Sequence, residues 1–370
     1  MLIRLNVHAQ DSITHSPLYE MFIAAHPVDT GSGSGKLFAV PVFGHTPEGG
    51  YEYGAATFKN FFLPTNINAR SSFVTAKGSW TSRHALNFIG YGEFWSNQNS
   101  FYWNIDVRHQ EYPFYYYGIG NRTKLNNAIL LENRLSHINI ESAKELWKHY
   151  YMGLNLLLEK QVFSVKDTVR RNQSSIPPNE RKGTYLNLGL VQMYDTRDNT
   201  QYTSNGIYAY LKLSFYPEFK RDNDFTGTQI NFNFKAFKSP VDQLTLGYNV
   251  VYNAFGSKIA PFYMLPQLGN DQIMRGFYEG RFRDKKLMAH QLEVRYRFIE
   301  RLAITGFVGN GATTPNKWRL QDFRTSYGGG LRYFFDVRQR STIRFDYAMT
   351  QHLAGEKRQT GIYVTLGEAF

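Results

Sequence analysis

Run after run of this chain sets apolar side chains at every second position and polar or charged ones between them. Gln229 to Ala236 places Ile230, Phe232, Phe234 and Ala236 against Gln229, Asn231, Asn233 and Lys235. Positions two apart share a face only in an extended strand, so this run is a strand. The next run sets Leu244, Leu246, Tyr248, Val250 and Tyr252 against Gln243, Thr245, Gly247 and Asn249. Only Lys238, Ser239 and Pro240 separate the two, which predicts a hairpin. Met288, His290, Leu292, Val294, Tyr296 and Phe298 then alternate with Ala289, Gln291, Glu293, Arg295 and Arg297, and Ile343, Phe345, Tyr347 and Met349 with Thr342, Arg344, Asp346 and Ala348.

Such a pattern has two solutions. A soluble sandwich turns the apolar face inward; a membrane barrel turns it to lipid and encloses the charged face in a wet lumen. Segment length and number decide between them. Soluble strands usually run about 5 to 6 residues, whereas a tilted bilayer crossing needs about 9 to 11. Candidate segments lie near 36–43, 49–59, 70–79, 82–92, 100–110, 128–142, 148–160, 183–193, 207–217, 227–237, 241–253, 287–299, 301–309, 325–335, 340–350 and 359–370. An even set of about 16 suits a closed transmembrane antiparallel β-barrel, because an open edge in lipid would leave backbone groups unpaired.

Composition agrees. No apolar run is long enough for a membrane-spanning helix, and the mean hydropathy is −0.44. The 26 Tyr, 29 Phe and 5 Trp suit the aromatic girdles of a barrel. With no cysteine there is no disulfide framework, thiolate metal site or thiol nucleophile. The formal charge of +12 is spread along the chain without a compact Lys/Arg run, which argues against nucleic acid and for lipid phosphates and an anion-attracting lumen. Short connections at 238–240, 299–301 and 336–340 read as periplasmic turns, and long ones at 255–286, 311–324 and 351–357 as outward or lumenal loops. Residues 1–35 form a leader, of which 1–10 fit the tail of a signal peptide cleaved near Gln10. Residues 36–370 make the barrel.

Catalytic motifs are missing. Gly31 to Lys36 lacks the first glycine and the hydroxyl residue of a phosphate loop, and neither GxSxG nor HExxH occurs. The histidines have no ligand spacing, so no metal, cofactor or enzymatic activity is expected. Asp195 and Asp198 flank Arg197 in a turn, a pattern that fits a structural salt-bridge network better than an acid/base pair.

Four motifs in order then resemble the barrel of the BamA/TamA family of outer-membrane assembly and translocation proteins, also called the bacterial surface antigen domain. They are Tyr117-Gly118-Ile119-Gly120-Asn121; Tyr194-Asp195-Thr196-Arg197-Asp198-Asn199 followed by Gly206; Met274-Arg275-Gly276-Phe277 inside a long loop; and Glu293-Val294-Arg295 with Phe307-Val308-Gly309-Asn310-Gly311 beyond it. The third matches the family's RGF motif on a loop that enters the lumen. An arginine before a glycine lets backbone approach the wall while the guanidinium offers five donors to an inward carboxylate. The resemblance implies an Asp partner in an FxDxG strand, but that position here is Gly309, with Asn310 turned to lipid. Glu293 is the nearest inward acid, and Asp346 the alternative. The C-terminal Gln359, Gly361, Val364, Leu366 and Phe370 resemble the β-signal read by the outer-membrane insertion machinery, with Ile362, Val364, Leu366 and Phe370 expected on the lipid face.

The resemblance implies an integral protein of the bacterial outer membrane that inserts or translocates outer-membrane proteins, or assists that machinery. A passive channel and a structural scaffold are the other readings. Residues 1–35 are too few for even one periplasmic POTRA repeat, so a barrel lacking them is expected. Implied partners are outer-membrane lipids and lipopolysaccharide, client outer-membrane proteins, lipoproteins or a separate periplasmic-repeat subunit, and no nucleic acid.

Overall fold

A computed structural model describes residues 38–46, 50–61, 70, 72–82, 85–166, 181–219, 226–337 and 340–370. The leader at 1–35, with its cleavage site, lies outside them. Four strands of 9 to 12 residues come first: β1 (Phe38–Thr46), β2 (Gly50–Phe61), β3 (Ser72–Thr81) and β4 (Leu86–Trp95). A taller set of 14 to 19 residues follows: β5 (Phe101–Tyr116), β6 (Ile129–Trp147), β7 (Tyr150–Val165) and β8 (Lys182–Asp195). Next come β9 (Gly206–Tyr216), β10 (Gly227–Val241) and β11 (Leu244–Gly256). Two-residue strands β12 (Gln267–Leu268) and β13 (Phe282–Arg283) belong to the long loop, and β14 (Lys286–Ile299), β15 (Leu302–Thr314), β16 (Arg324–Asp336), β17 (Ser341–Thr350) and β18 (Thr360–Leu366) complete the chain.

All but β12 and β13 join one 16-stranded antiparallel sheet in sequence order. Each of the sixteen segments read from the alternation falls on one of these strands. The β10–β11 hairpin differs in detail: Lys238, Ser239 and Pro240 stay within β10, where the ladder slips between Lys238 and Val241, and the turn itself is Asp242–Gln243. Proline has no N–H for the ladder, so the strand bulges there before turning.

The sheet curls around a common interior. Arg70, just before β3, reaches Asp195 at the end of β8, and the β5–β6 loop meets the loops after β15 and β17 through Asn121 with Asp322 and Leu125 with Glu356. Solvation is inverted relative to a soluble protein. Outward Leu154, Leu156, Leu188, Leu292, Leu331 and Phe345 are exposed, while inward Glu293, Arg295, Arg332, Arg344 and Asp346 are buried. A sandwich would do the reverse, so the outer solvent is hydrocarbon. Among the described residues no ladder joins β1 to β18.

Candidate functional site: a lumenal arginine network

The connection from β11 to β14 turns into the barrel and carries Arg275 to the inner wall. Arg275 is fully buried, and it donates from Nη1 to Asp346 Oδ2 on β17 and from Nη2 to Glu293 Oε2 on β14, each at 2.6 Å. Its guanidinium lies 3.5 Å from the ring centroid of Phe307 on β15. The single side chain therefore fastens the loop to three strands. Both acids named from the sequence serve together, one per arm of the fork.

The surrounding charges are balanced. Arg332 donates to Asp346 Oδ1 and to Glu368 Oε2, both at 2.6 Å. Arg295 donates to Glu293 Oε1 at 2.6 Å, and Arg344 to Asp271 Oδ2 at 2.6 Å. Four guanidiniums, of Arg275, Arg295, Arg332 and Arg344, thus meet four carboxylates, of Glu293, Asp346, Glu368 and Asp271. Buried ions are tolerated only when paired and hydrogen-bonded, so removing one member strands the others. No sequence motif marks Arg332, Arg344, Asp271 or Glu368; the polar phase of β16 and β17 is the only signal for the two arginines, and Asp271 and Glu368 lie outside those strands.

The loop's close approach needs small residues. Gly276 has φ +102°, its N–H donates to the Tyr363 hydroxyl at 2.7 Å, and an added Cβ would lie 3.3 Å from the Met349 carbonyl carbon. Phe277 is buried with Leu268, Met274, Phe282, Leu287 and Ala289. Gly309, where the family pattern has Asp, faces Met274: a Cβ there would come within 3.0 Å of its sulfur and 2.9 Å of the Gln291 Cγ. A Cβ on Gly311 would come within 2.9 Å of Leu268 Cδ1. The wall has room at this position, and Asp346, two strands away, provides the carboxylate. Asn310 reaches across the outer side to the Thr325 hydroxyl. On β16, a Cβ at Gly330 would lie 2.0 Å from Asp346 Oδ1 and one at Gly328 2.7 Å from the Phe307 ring, so these two glycines shape the pocket for the pair.

The same loop also packs across the end of the barrel that carries the long connections. Arg281 donates to Glu356 at 2.8 Å and to the Thr123 hydroxyl at 2.6 Å, and Phe262 packs with Phe114, Tyr116 and Phe163.

At the opposite end the Asp195 to Gly206 connection lies across the mouth. Asp195 accepts from Arg197 Nε at 2.9 Å and Nη2 at 2.8 Å and from Arg70 Nη1 at 2.6 Å. Burial pulls the Arg197 guanidinium's pKa down, but Asp195 more than offsets this and leaves it raised. Asp198 accepts from the backbone N–H of Ser204 and, at 2.7 Å, from Arg340 in the β16–β17 turn. Tyr202 is buried between Ala303 and Phe334, its ring edge-on to Phe334 at 4.8 Å, and burial pushes its hydroxyl up to about 12. The turn thus touches β3, β8, β15 and β16 at once; Arg70 and Arg340 carry no sequence motif that marks them.

The C-terminal residues divide. Gln359 precedes β18 and accepts from the Tyr278 N–H at 3.2 Å, and Gly361 leaves space for Tyr363, whose hydroxyl would lie 2.5 Å from a Cβ there. Val364 and Leu366 pair with Phe345 and Ile343; their side chains are outside the described ones. Ile362 is outward and exposed. Phe370 does not share that face. Gly367 turns at φ +74°, its N–H donates to the Thr342 carbonyl, and the tail enters the lumen, where Phe370 packs on Phe237 and its carbonyl accepts from Arg295 at 2.9 Å. The two-residue alternation fails once the strand has ended.

The comparisons agree with this geometry. Residues 89–370 match the model of the Omp85 superfamily domain. No curated protein sequence matches the chain significantly. Among solved structures, BamA from Haemophilus ducreyi lacking POTRA domains 1-3 superposes at TM-score 0.55 and 16% identity, over 89% of this chain and 69% of that one. CdiB from Acinetobacter baumannii gives 0.55 and 12%, over 90% of this chain and 60% of that one, and CdiB from Escherichia coli 0.54 and 11%, over 89% and 61%. With its sixteen-stranded outer-membrane type of barrel, its lumenal arginine loop and this domain match, the chain belongs to the Omp85 superfamily.

Proposed function

We propose that this barrel inserts or translocates outer-membrane proteins, and that the client pairs at the seam between β1 and β18. The observation that carries the reading is the sheet order. Every strand but the first and last has a neighbour on each side, and β18 has only seven residues, all registered on β17 alone. A strand with one edge unpaired is a template for another chain, which can add by main-chain hydrogen bonds without regard to its sequence. The family match and the fold shared with BamA and CdiB support the reading. A passive channel fits less well, since the loop anchored by Arg275 and the 196–205 turn occupy both ends of the lumen.

The chain's freedom from cysteine makes the test clean. Cysteines placed at Ala39 or Pro41 in β1 and at Ile362 in β18 are oxidised to lock the seam in proteoliposomes presented with an unfolded outer-membrane protein. Locking is expected to stop client assembly and reduction to restore it. Undiminished assembly by the locked protein overturns the proposal, and steady conductance unaffected by the lock but raised by deleting 257–285 favours the channel.

A further inference from the structure

The inner face of β10 and β11 changes character along its length. At the short-turn end Phe237 and Gly247 face each other and take the Phe370 ring. The three rows beyond are polar: Lys235 opposite Asn249, Asn233 opposite Val251, and Asn231 opposite Asn253. Tyr208 and Tyr210 of β9 continue the first two rows on one side, and Gln291 of β14 continues the first on the other. Over this floor lie Gln272 and Ile273 from the long loop and Ala369 and Phe370 from the tail, with a cavity of about 220 Å³ between floor and cover. Gln291 holds the loop there, its Nε2 donating to the Gln272 carbonyl at 2.6 Å.

The polar groups of the floor do not satisfy one another. In the outermost row the Asn231 amide donates to Asn253 Oδ1 at 3.1 Å. In the two rows below, Asn233 Oδ1 and Asn249 Oδ1 are buried and accept no hydrogen bond among the described residues, and Asn249 is only 3% exposed. A buried amide oxygen left unbonded is costly, so its place in the wall points to a partner from outside the chain. Lys235 holds its ammonium 5.5 Å from the Tyr208 ring, and among the described residues no acid pairs with it. Asp195, the acid of the same row, is taken by Arg70 and Arg197, and Glu293, in the adjacent row, by Arg275 and Arg295.

We infer that this cavity is a binding site for a sugar acid of monosaccharide size. A carboxylate meets Lys235, hydroxyls meet Asn233 and Asn249, and the apolar face of the ring lies against Val251, Ile273 and Phe370. Hydroxyls suit amides because each both donates and accepts, whichever end the amide presents. Neighbouring rows stand about 6.8 Å apart along the strands, a span that one pyranose covers from its carboxylate to its far hydroxyls. The volume equals about seven water molecules at roughly 30 Å³ each, which is room for one sugar ring and too little for a polypeptide in passage. An occupant touches loop, tail and wall at once and so holds both inserted segments in place. The site is separate from the seam, and the inference holds whether the barrel inserts clients or conducts.

The test is isothermal titration calorimetry of the full chain in detergent with glucuronate, galacturonate, glucose and acetate. Wild type is expected to bind a sugar acid saturably. Glucose lacks the carboxylate and acetate the hydroxyls, so each should bind about tenfold more weakly or worse. A hydrogen bond to a charged group is worth about tenfold in affinity, and Lys235→Met should weaken binding by about that factor. Asn249→Leu, which removes a neutral partner, should weaken it about fivefold. Lys212→Met lies in the same lumen, opposite Asn231, but does not line the cavity and should leave binding unchanged. Heat-modifiable gel mobility shows that each variant is folded. Absence of saturable binding leaves the amides to water and overturns the inference, as does equal binding of glucose or acetate, undiminished binding by Lys235→Met, or an equal loss in Lys212→Met.

Discussion

Arg275 and Asp346 stand 71 residues apart in the chain and meet at 2.6 Å inside the barrel. The pair joins a loop to a strand near the seam, so the loop's position and the last strands' position are one variable. Truncating Arg275 to Ala should destabilise the barrel by about 3–5 kcal/mol, the cost of leaving buried carboxylates short of a partner. Trypsin should then cut within 257–285, which urea unfolding and a digestion time course in detergent would show; a loop that stays protected would contradict the anchoring role.

Two glycines separate space from mere flexibility. A Cβ at Gly330 would meet Asp346 Oδ1 at 2.0 Å and the Phe345 carbonyl at 2.3 Å, whereas one at Gly306 meets nothing within 4 Å. Overpacking at Gly330→Ala should cost about 1–3 kcal/mol, and Gly306→Ala should be close to neutral. Paired unfolding curves of the two variants decide it, equal midpoints being the contrary result.

Tyr363→Phe tests the Gly276 contact. It removes the hydroxyl that accepts the buried Gly276 N–H and leaves the ring in place. An unmade buried hydrogen bond of this kind costs about 1–3 kcal/mol. Faster amide exchange at Gly276, with little change elsewhere in the barrel, is the expected signature.

At the short-turn end the two ion pairs should behave differently. Arg340 and Asp198 are each about a third exposed, at 37% and 31%, so Arg340→Ala should cost under about 1 kcal/mol. Asp195, whose side chain is fully buried between Arg70 and Arg197, should cost several times more when changed to Ala. Deleting 199–204 should raise single-channel conductance in planar bilayers, because those residues lie over the mouth.

Most of the barrel was legible because lipid and lumen impose opposite demands on alternate residues, and a period of two survives in the letters. From β5 onward, β6 with its mixed alternation apart, the strands announce themselves through rows such as Leu154, Leu156 and Leu158. The RGF motif marked Arg275, and Glu293 and Asp346 could be proposed since both lie on the inward phase of their strands. What stayed hidden depends on contacts between distant segments. Nothing near Gly309 says that Met274 occupies the missing acid's place, and nothing near Arg70 says that Asp195 lies 125 residues away. Phe370 misled for a related reason: its parity predicts lipid, but the positive φ of Gly367 resets the direction of the tail.

That inward tail has a consequence for how the molecule leaves its makers. A factor that grips the Phe370 ring finds it only while the chain is still unfolded. Once the ring has settled on Phe237 and its carbonyl on Arg295, the handle is inside the vessel. Completing the barrel and withdrawing that ring from any outside partner are then the same event.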